Sequence, residues 1–218
     1  MANVFVTGAT GYIGRELSAR LAARGHRVRA LAREGSEGRV AAGCEAVVGN
    51  ALDARTYAGA VGRCDAFVHL VGVAHPSPAK AEQFRSVDLQ STRAAVEAAR
   101  SAGAAHFVYV SVAQPAPVMK AYVEARAEGE GLIREAGLNA TVLRPWYVLG
   151  PGHRWPVALI PVYALLELLP GTREGARRLG LVSRAQMVAA MVQAIERPPS
   201  GMRVLQAPDI RACAMAAG

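Results

Sequence analysis

The stretch "VTGATGYIGRE", Val6 to Glu16, decides how the rest of the chain is read. An apolar run ends there, a turn with glycines at positions 8, 11 and 14 follows, and a segment of helical period begins. Glycines at this spacing let the backbone turn sharply and approach a pyrophosphate, while the amides opening the next helix point at its charge. A strand before and a helix after are the context such a motif requires. The lysine and following serine or threonine of an NTPase P-loop are missing, so the expected ligand is a dinucleotide. Thr7, Gly8, Thr10, Gly11, Tyr12, Ile13 and Gly14 are its candidate contacts.

Working outward, apolar runs of strand length alternate with stretches of helical spacing. Asn3 to Thr7, Arg27 to Ala32, Glu45 to Val48, Asp65 to Val71, His106 to Val112 and Ala140 to Arg144 read as strands. Tyr12 to Arg24, Arg55 to Gly62, Ala79 to Ala102 and Met119 to Ala136 read as helices, with Gly25, Gly103 and Gly137 as stops. Val182 to Arg197 and "MRVLQA" read as a closing helix and strand. The alternation predicts an α/β fold: one Rossmann-type, doubly wound parallel sheet in a single domain over residues 1–210. Residues 146–180 are expected on the substrate side, and 211–218 as a loose tail.

Composition narrows the partners. The chain has 218 residues, 52% of them hydrophobic, enough for a substantial core. Its formal charge of +8 comes mainly from scattered arginines, without the aromatic interleaving of a nucleic-acid surface, so a phosphorylated small molecule is the expected partner. Cys44, Cys64 and Cys213 lack metal-like spacing; reduced thiols, no metal and a cytoplasmic location are expected. With a strand read within three residues of the first residue, no signal peptide and no export are expected. Val157 to Leu169 is the longest apolar run, interrupted by Pro161 and Glu167. It is read as a buried or lid helix, with contact to a membrane or partner subunit as the alternative.

"VTGATGYIG", then "ALAREGS", "GNALD" and a strand ending in "HLVGV", resemble the short-chain dehydrogenase/reductase superfamily over Val4 to about Pro151. The likeness is to its atypical and extended branches, which include NmrA-like redox sensors, flavin or biliverdin reductases and a nucleotide-binding accessory subunit of respiratory complex I. "LRPWYVLGPGHRWP", Leu143 to Pro156, resembles the segment that leads to the substrate side in those branches. An epimerase or dehydratase acting on a sugar nucleotide is disfavoured by the short substrate segment.

The end of the second strand bears on the cofactor. Ala32 stands where an NAD enzyme tends to carry an acid, and Arg33 follows, suiting a 2′-phosphate with Ser36 and Arg15 in support. NADP(H) is therefore expected over NAD(H), with Glu34 the residue arguing the other way. The resemblance further implies Asn50, Ala51 and Leu52 beside adenine, and Val71 and Gly72 beside ribose and nicotinamide.

The resemblance also implies the chemistry. Active members use a serine after the fifth strand and a tyrosine with a lysine four residues on; the matching residues are Ser111, Tyr122 and Arg126. Arginine keeps the charge but cannot release a proton near neutral pH. Lys120 falls on another helix face, and Asp88 and Ser91 replace an asparagine and a glycine. The leading expectation is an oxidoreductase acting on a carbonyl or conjugated small molecule; the alternative is a non-catalytic NAD(P)(H)-binding sensor or scaffold. His75 and His153 are further candidate proton donors, and Trp146, Tyr147 and Trp155 a candidate aromatic wall.

Overall fold

The computed structural model describes residues 1–116, 118–151, 168 and 170–215. His153, Trp155 and the 157–169 run, Leu168 apart, lie outside the described residues. Seven parallel strands run in the order β3-β2-β1-β4-β5-β6-β9. They are β1 (Asn3–Thr7), β2 (Arg27–Ala32), β3 (Glu45–Val48), β4 (Ala66–His69), β5 (Phe107–Val110), β6 (Ala140–Arg144) and β9 (Met202–Gln206). The order reverses between β1 and β4, so a crevice opens beyond the carboxyl ends of those two strands, where ligands of such sheets bind.

Alternation along each strand divides the core in two. On one face Val4, Val6, Val68, Val108 and Leu143 pack with Leu17 and Leu21 of α1 (Gly14–Ala23), Met187 and Met191 of α7 (Arg184–Glu196), and Ile210 of α8 (Ala207–Met215). On the other, Phe5, Phe67 and Phe107 are in register across three strands, with Phe5–Phe67 and Phe67–Phe107 centroids 5.2 and 5.4 Å apart. Ala94, Ala95, Ala98 and Ala99 of α4 (Gln90–Ser101) cover this row, their small side chains letting helix and sheet approach.

Two residues further along the same strands the row becomes polar: Thr7 faces His69, and His69 faces Tyr109. Thr7 Oγ1 lies 2.7 Å from His69 Nδ1, and His69 Nε2 lies 3.4 and 3.3 Å from Ser91 Oγ and Thr92 Oγ1. Both hydroxyls donate to the Asp88 carbonyl, so the network assigns the ring proton to Nε2 and the Thr7 proton to Nδ1. Burial, with help from the Arg126 charge, lowers the His69 pKa to about 3; burial lowers that of His106, beside Arg203, to about 4.

These two histidines make stability pH-dependent. Below about pH 6.5 the unfolded chain takes up protons that the folded chain refuses until its own pKa is reached. Folding stability should therefore fall as pH drops from 6.5 toward 4, each histidine contributing a slope approaching about 1.4 kcal/mol per pH unit. Urea midpoints measured across that range, with His106→Gln flattening the curve, check the sign.

Several sequence expectations are corrected. The helix expected over Ala79 to Ala102 is a 3-10 turn (Pro78–Lys80), α3 (Ala81–Gln83), a π-helical turn (Phe84–Leu89) and α4. That over Arg55 to Gly62 is a 3-10 turn (Ala54–Thr56) followed by α2 (Ala58–Val61). The tail expected from 211 is helical as far as Met215, because α8 inserts Ile210 and Cys213 against the core and Asp209 accepts the Gln206 amide at 2.8 Å. A second sheet pairs β7 (Tyr147–Leu149) with β8 (Leu181–Ser183), and α6 (Arg173–Arg178) lies between them in the chain. No helix of the described residues is long and apolar enough to cross a membrane. Among them, no three His, Cys, Asp or Glu side chains group to hold a metal ion, and all three cysteines are free thiols.

Candidate functional site

The β1–α1 turn is built to be approached closely. Gly8 has φ +75°, and a Cβ there would lie 2.7 Å from the Leu70 carbonyl carbon. A Cβ on Gly14 would run into the Gly8 carbonyl oxygen and lie 2.8 Å from Ala9 Cα. The turn is thus pressed against the end of β4 with only backbone between, and no side chain caps the start of α1. The Gly11 amide donates to the Gly8 carbonyl at 3.0 Å and the Arg15 amide to the Gly11 carbonyl at 3.2 Å, closing a tight backbone turn at a helix N-terminus, the kind of cradle a dinucleotide pyrophosphate fits.

Around it, Arg33 is exposed at the end of β2 and Ser36 is half-buried. Two successive turns, Ser36 N to Arg33 O and Arg39 N to Ser36 O, carry Arg39 back so that its Nη2 lies 3.5 Å from the Thr10 carbonyl. Arg39 was not singled out from the sequence; two turns between it and Arg33 are the signal that would have found it. The Asn50 side-chain oxygen already accepts the Leu52 amide at 3.0 Å, so the oxygen expected to meet adenine is partly occupied. Ala51 and Leu52 are half-buried beside it.

A cleft of about 510 Å³ joins the two halves of the expected site. Tyr12 and Ile13 of the glycine turn, Gly72 after β4, Ser111 after β5, and Tyr122 and Arg126 of α5 (Lys120–Glu135) all line it. Trp146 and Tyr147 supply the aromatic wall, and His75 sits at its edge with φ +50°. A Cβ at position 72 would meet the Arg126 guanidinium and lie 3.1 Å from Asp88 Oδ1, so glycine here leaves room for that pair. Arg184 lies over the Tyr12 ring, 4.9 Å from its centroid, and pairs with Glu16, tying α7 to the glycine turn. Burial raises the Tyr12 pKa against the pull of Arg184.

Arg126 lines the cleft but is not a solvated neighbour of Tyr122. Its side chain is 6% exposed and that of Asp88 fully buried, with Nη2 2.6 Å from Asp88 Oδ1. Nη1 donates to Val110 O at 2.9 Å, clamping the end of β5, and the Val73 amide donates to Asp88 Oδ2 at 3.0 Å. The guanidinium lies 5.3 Å from the Tyr122 ring centroid and 5.7 Å from that of Tyr109. Burial opposes its charge, but Tyr122, Tyr109 and Asp88 outweigh that and raise its pKa. Burial raises the Asp88 pKa against Arg126, while both carboxylate oxygens accept hydrogen bonds, as the ionised form does. The π-helical turn aims Asp88 at Arg126 and Phe84 at the Tyr122 ring, whose centroids are 5.0 Å apart. Glu130, missed in the sequence, lies one helical turn beyond Arg126 and binds Ser111 and Arg144.

Comparisons with known proteins agree with this geometry. A family model described as NAD(P)H-binding matches residues 8–198. The chain is 30% identical over 210 residues to a ceramide reductase of Caulobacter vibrioides, an alignment covering 95% of this chain but 65% of that protein. It is 32% identical over 226 residues to a 3-diazoavenalumate denitrifying reductase of a Streptomyces species, covering 91% of this chain and 73% of that one. The Bordetella bronchiseptica enzyme WbmH in complex with NAD+ superposes with a TM-score of 0.70 at 20% identity, over 94% of this chain and 75% of that one. A UDP-glucuronic acid 4-epimerase from Bacillus cereus in complex with NAD gives 0.68 at 16%, over 94% and 77%. The chain therefore belongs to the NAD(P)H-binding family, and it shares its fold with these two NAD-bound enzymes.

Proposed function

We propose that the chain is an NADP(H)-dependent oxidoreductase that reduces a carbonyl or conjugated small molecule of largely apolar character. The observation that carries this reading is that one cleft brings Tyr12 and Ile13 of the glycine turn together with Ser111 and Tyr122. Bound nicotinamide would supply the hydride. Tyr122 would supply the proton to the substrate oxygen, and Trp146, Tyr147, Val112 and Leu181 a dry, apolar surface for the remainder. Arg126 cannot pass protons on, so its part is to hold Val110, Gly72 and Tyr122 in place and set a fixed positive charge against the phenol ring. Arg39 beside the glycine turn, and Arg33 exposed at the end of β2 two turns before it, support recognition of a 2′-phosphate.

The test is NADPH oxidation with a panel of aryl ketones, enals and quinones. Tyr122→Phe is expected to lower kcat about 10²–10⁴-fold with little change in KM, since it removes a proton donor and keeps the ring. Unchanged turnover in Tyr122→Phe would remove Tyr122 from the mechanism.

The second reading, a non-catalytic NAD(P)(H) sensor, is favoured by the engagement of Ser111 with Glu130 and of Arg126 with Asp88. It requires cofactor binding with no turnover of any panel member.

A further inference from the structure

Ser111 lines the cleft, yet its one proton is committed away from it. Its Oγ donates to Glu130 Oε1 at 2.6 Å. Glu130 is almost wholly buried, and every other group on it is also a donor. Oε1 accepts Gln114 Nε2 at 2.7 Å and Arg144 Nε at 2.9 Å, and Oε2 accepts Arg144 Nη2 at 2.5 Å. Glu130 meets donors on every side and acts as acceptor to each of them, so the direction of the Ser111–Glu130 hydrogen bond is fixed. Turning the serine proton toward the cleft would break a charge-assisted bond in a buried network.

What Ser111 can offer a ligand is therefore its lone pairs. Two other cleft residues are of opposite character: the Tyr122 hydroxyl can donate, and the Arg126 guanidinium has only donors. The fold arranges this with two i, i+4 steps along α5, Tyr122 to Arg126 to Glu130, which place the donors and the serine's carboxylate on neighbouring turns. A serine with its proton free would hydrogen-bond the carbonyl oxygen itself; Ser111 would repel it.

We propose that Glu130 is a positioning residue that makes Ser111 a hydrogen-bond acceptor. The cleft accordingly selects carbonyl compounds bearing an O–H or N–H group next to the reducible carbonyl, of which an α-hydroxy ketone is the simplest. The carbonyl oxygen faces Tyr122 and the neighbouring donor faces Ser111. The reaction assigned to such a compound rests on the reductase reading above; its recognition does not.

The test uses a matched pair, phenacyl alcohol and its methyl ether, which differ by one donor and share a phenyl ring suited to Trp146 and Tyr147. Equilibrium binding to the full chain with saturating NADP+, and kcat/KM with NADPH, are measured for both. The wild type is expected to favour the alcohol by about tenfold, the worth of one hydrogen bond in a closed site. Ser111→Ala should bring the ratio to about one. Glu130→Gln should shrink it, because an amide can donate to Ser111 and release the serine proton, with thermal unfolding confirming that each variant is folded. A wild-type ratio near one, a preference that survives in Ser111→Ala, or failure of both probes to bind would overturn the proposal. A Ser111-dependent binding preference without NADPH consumption would uphold it and sink the reductase reading instead.

Discussion

Asp88→Ala should cost about 3–5 kcal/mol of folding stability, the penalty for leaving a buried charge without its partner. The Arg126 guanidinium would remain between the Tyr109 and Tyr122 rings, still bound to Val110 O, with neither solvent nor carboxylate to balance it. Against a typical total of about 5–15 kcal/mol this is a large fraction, and urea unfolding would show it as a midpoint shift at unchanged slope. Asp88→Leu combined with Arg126→Met should recover most of the loss, since removing both charges removes the desolvation cost with them. A single variant within about 1 kcal/mol of wild type would mean that the pair is solvated in solution.

Gly14→Ala should lower dinucleotide affinity by at least about 100-fold. The new methyl group would press on the Gly8 carbonyl and on Ala9 Cα, all backbone, so no side chain can swing aside. The turn must open, moving backbone that the proposed phosphate site depends on, and overpacking of this kind typically costs about 1–3 kcal/mol of stability as well. Gly25→Ala is the useful contrast: its Cβ would meet nothing within 4 Å, although its φ of +80° strains any side chain. It should lose stability and keep affinity.

The sheet was legible because each strand of a two-sided sheet is a short apolar run, and the glycine turn marks which pair of strands flanks the crevice. Strand ends were less so: Asp65 to Val71 reads as continuous, but pairing stops at His69, after which the backbone turns along the cleft. The π-helical turn was invisible, since Phe84 to Leu89 has ordinary helical residues. Arg126 was legible as a departure from a lysine, but not its partner. Nothing local to Asp88 announces Arg126, nor does Glu130 announce Ser111 and Arg144, because those pairings depend on how β5, β6 and α5 meet. The short β7–β8 sheet carries too few residues for a periodic signal.

Calorimetric titration of the full chain with NADPH, and separately with NADH, tests the central assignment most directly. Saturable binding of NADPH at one site, at least about tenfold tighter than NADH, is expected, with the preference lost in Arg33→Ala/Arg39→Ala as the phosphate loses its arginines. Binding of neither dinucleotide would contradict the assignment of the glycine turn and of the cleft beside it.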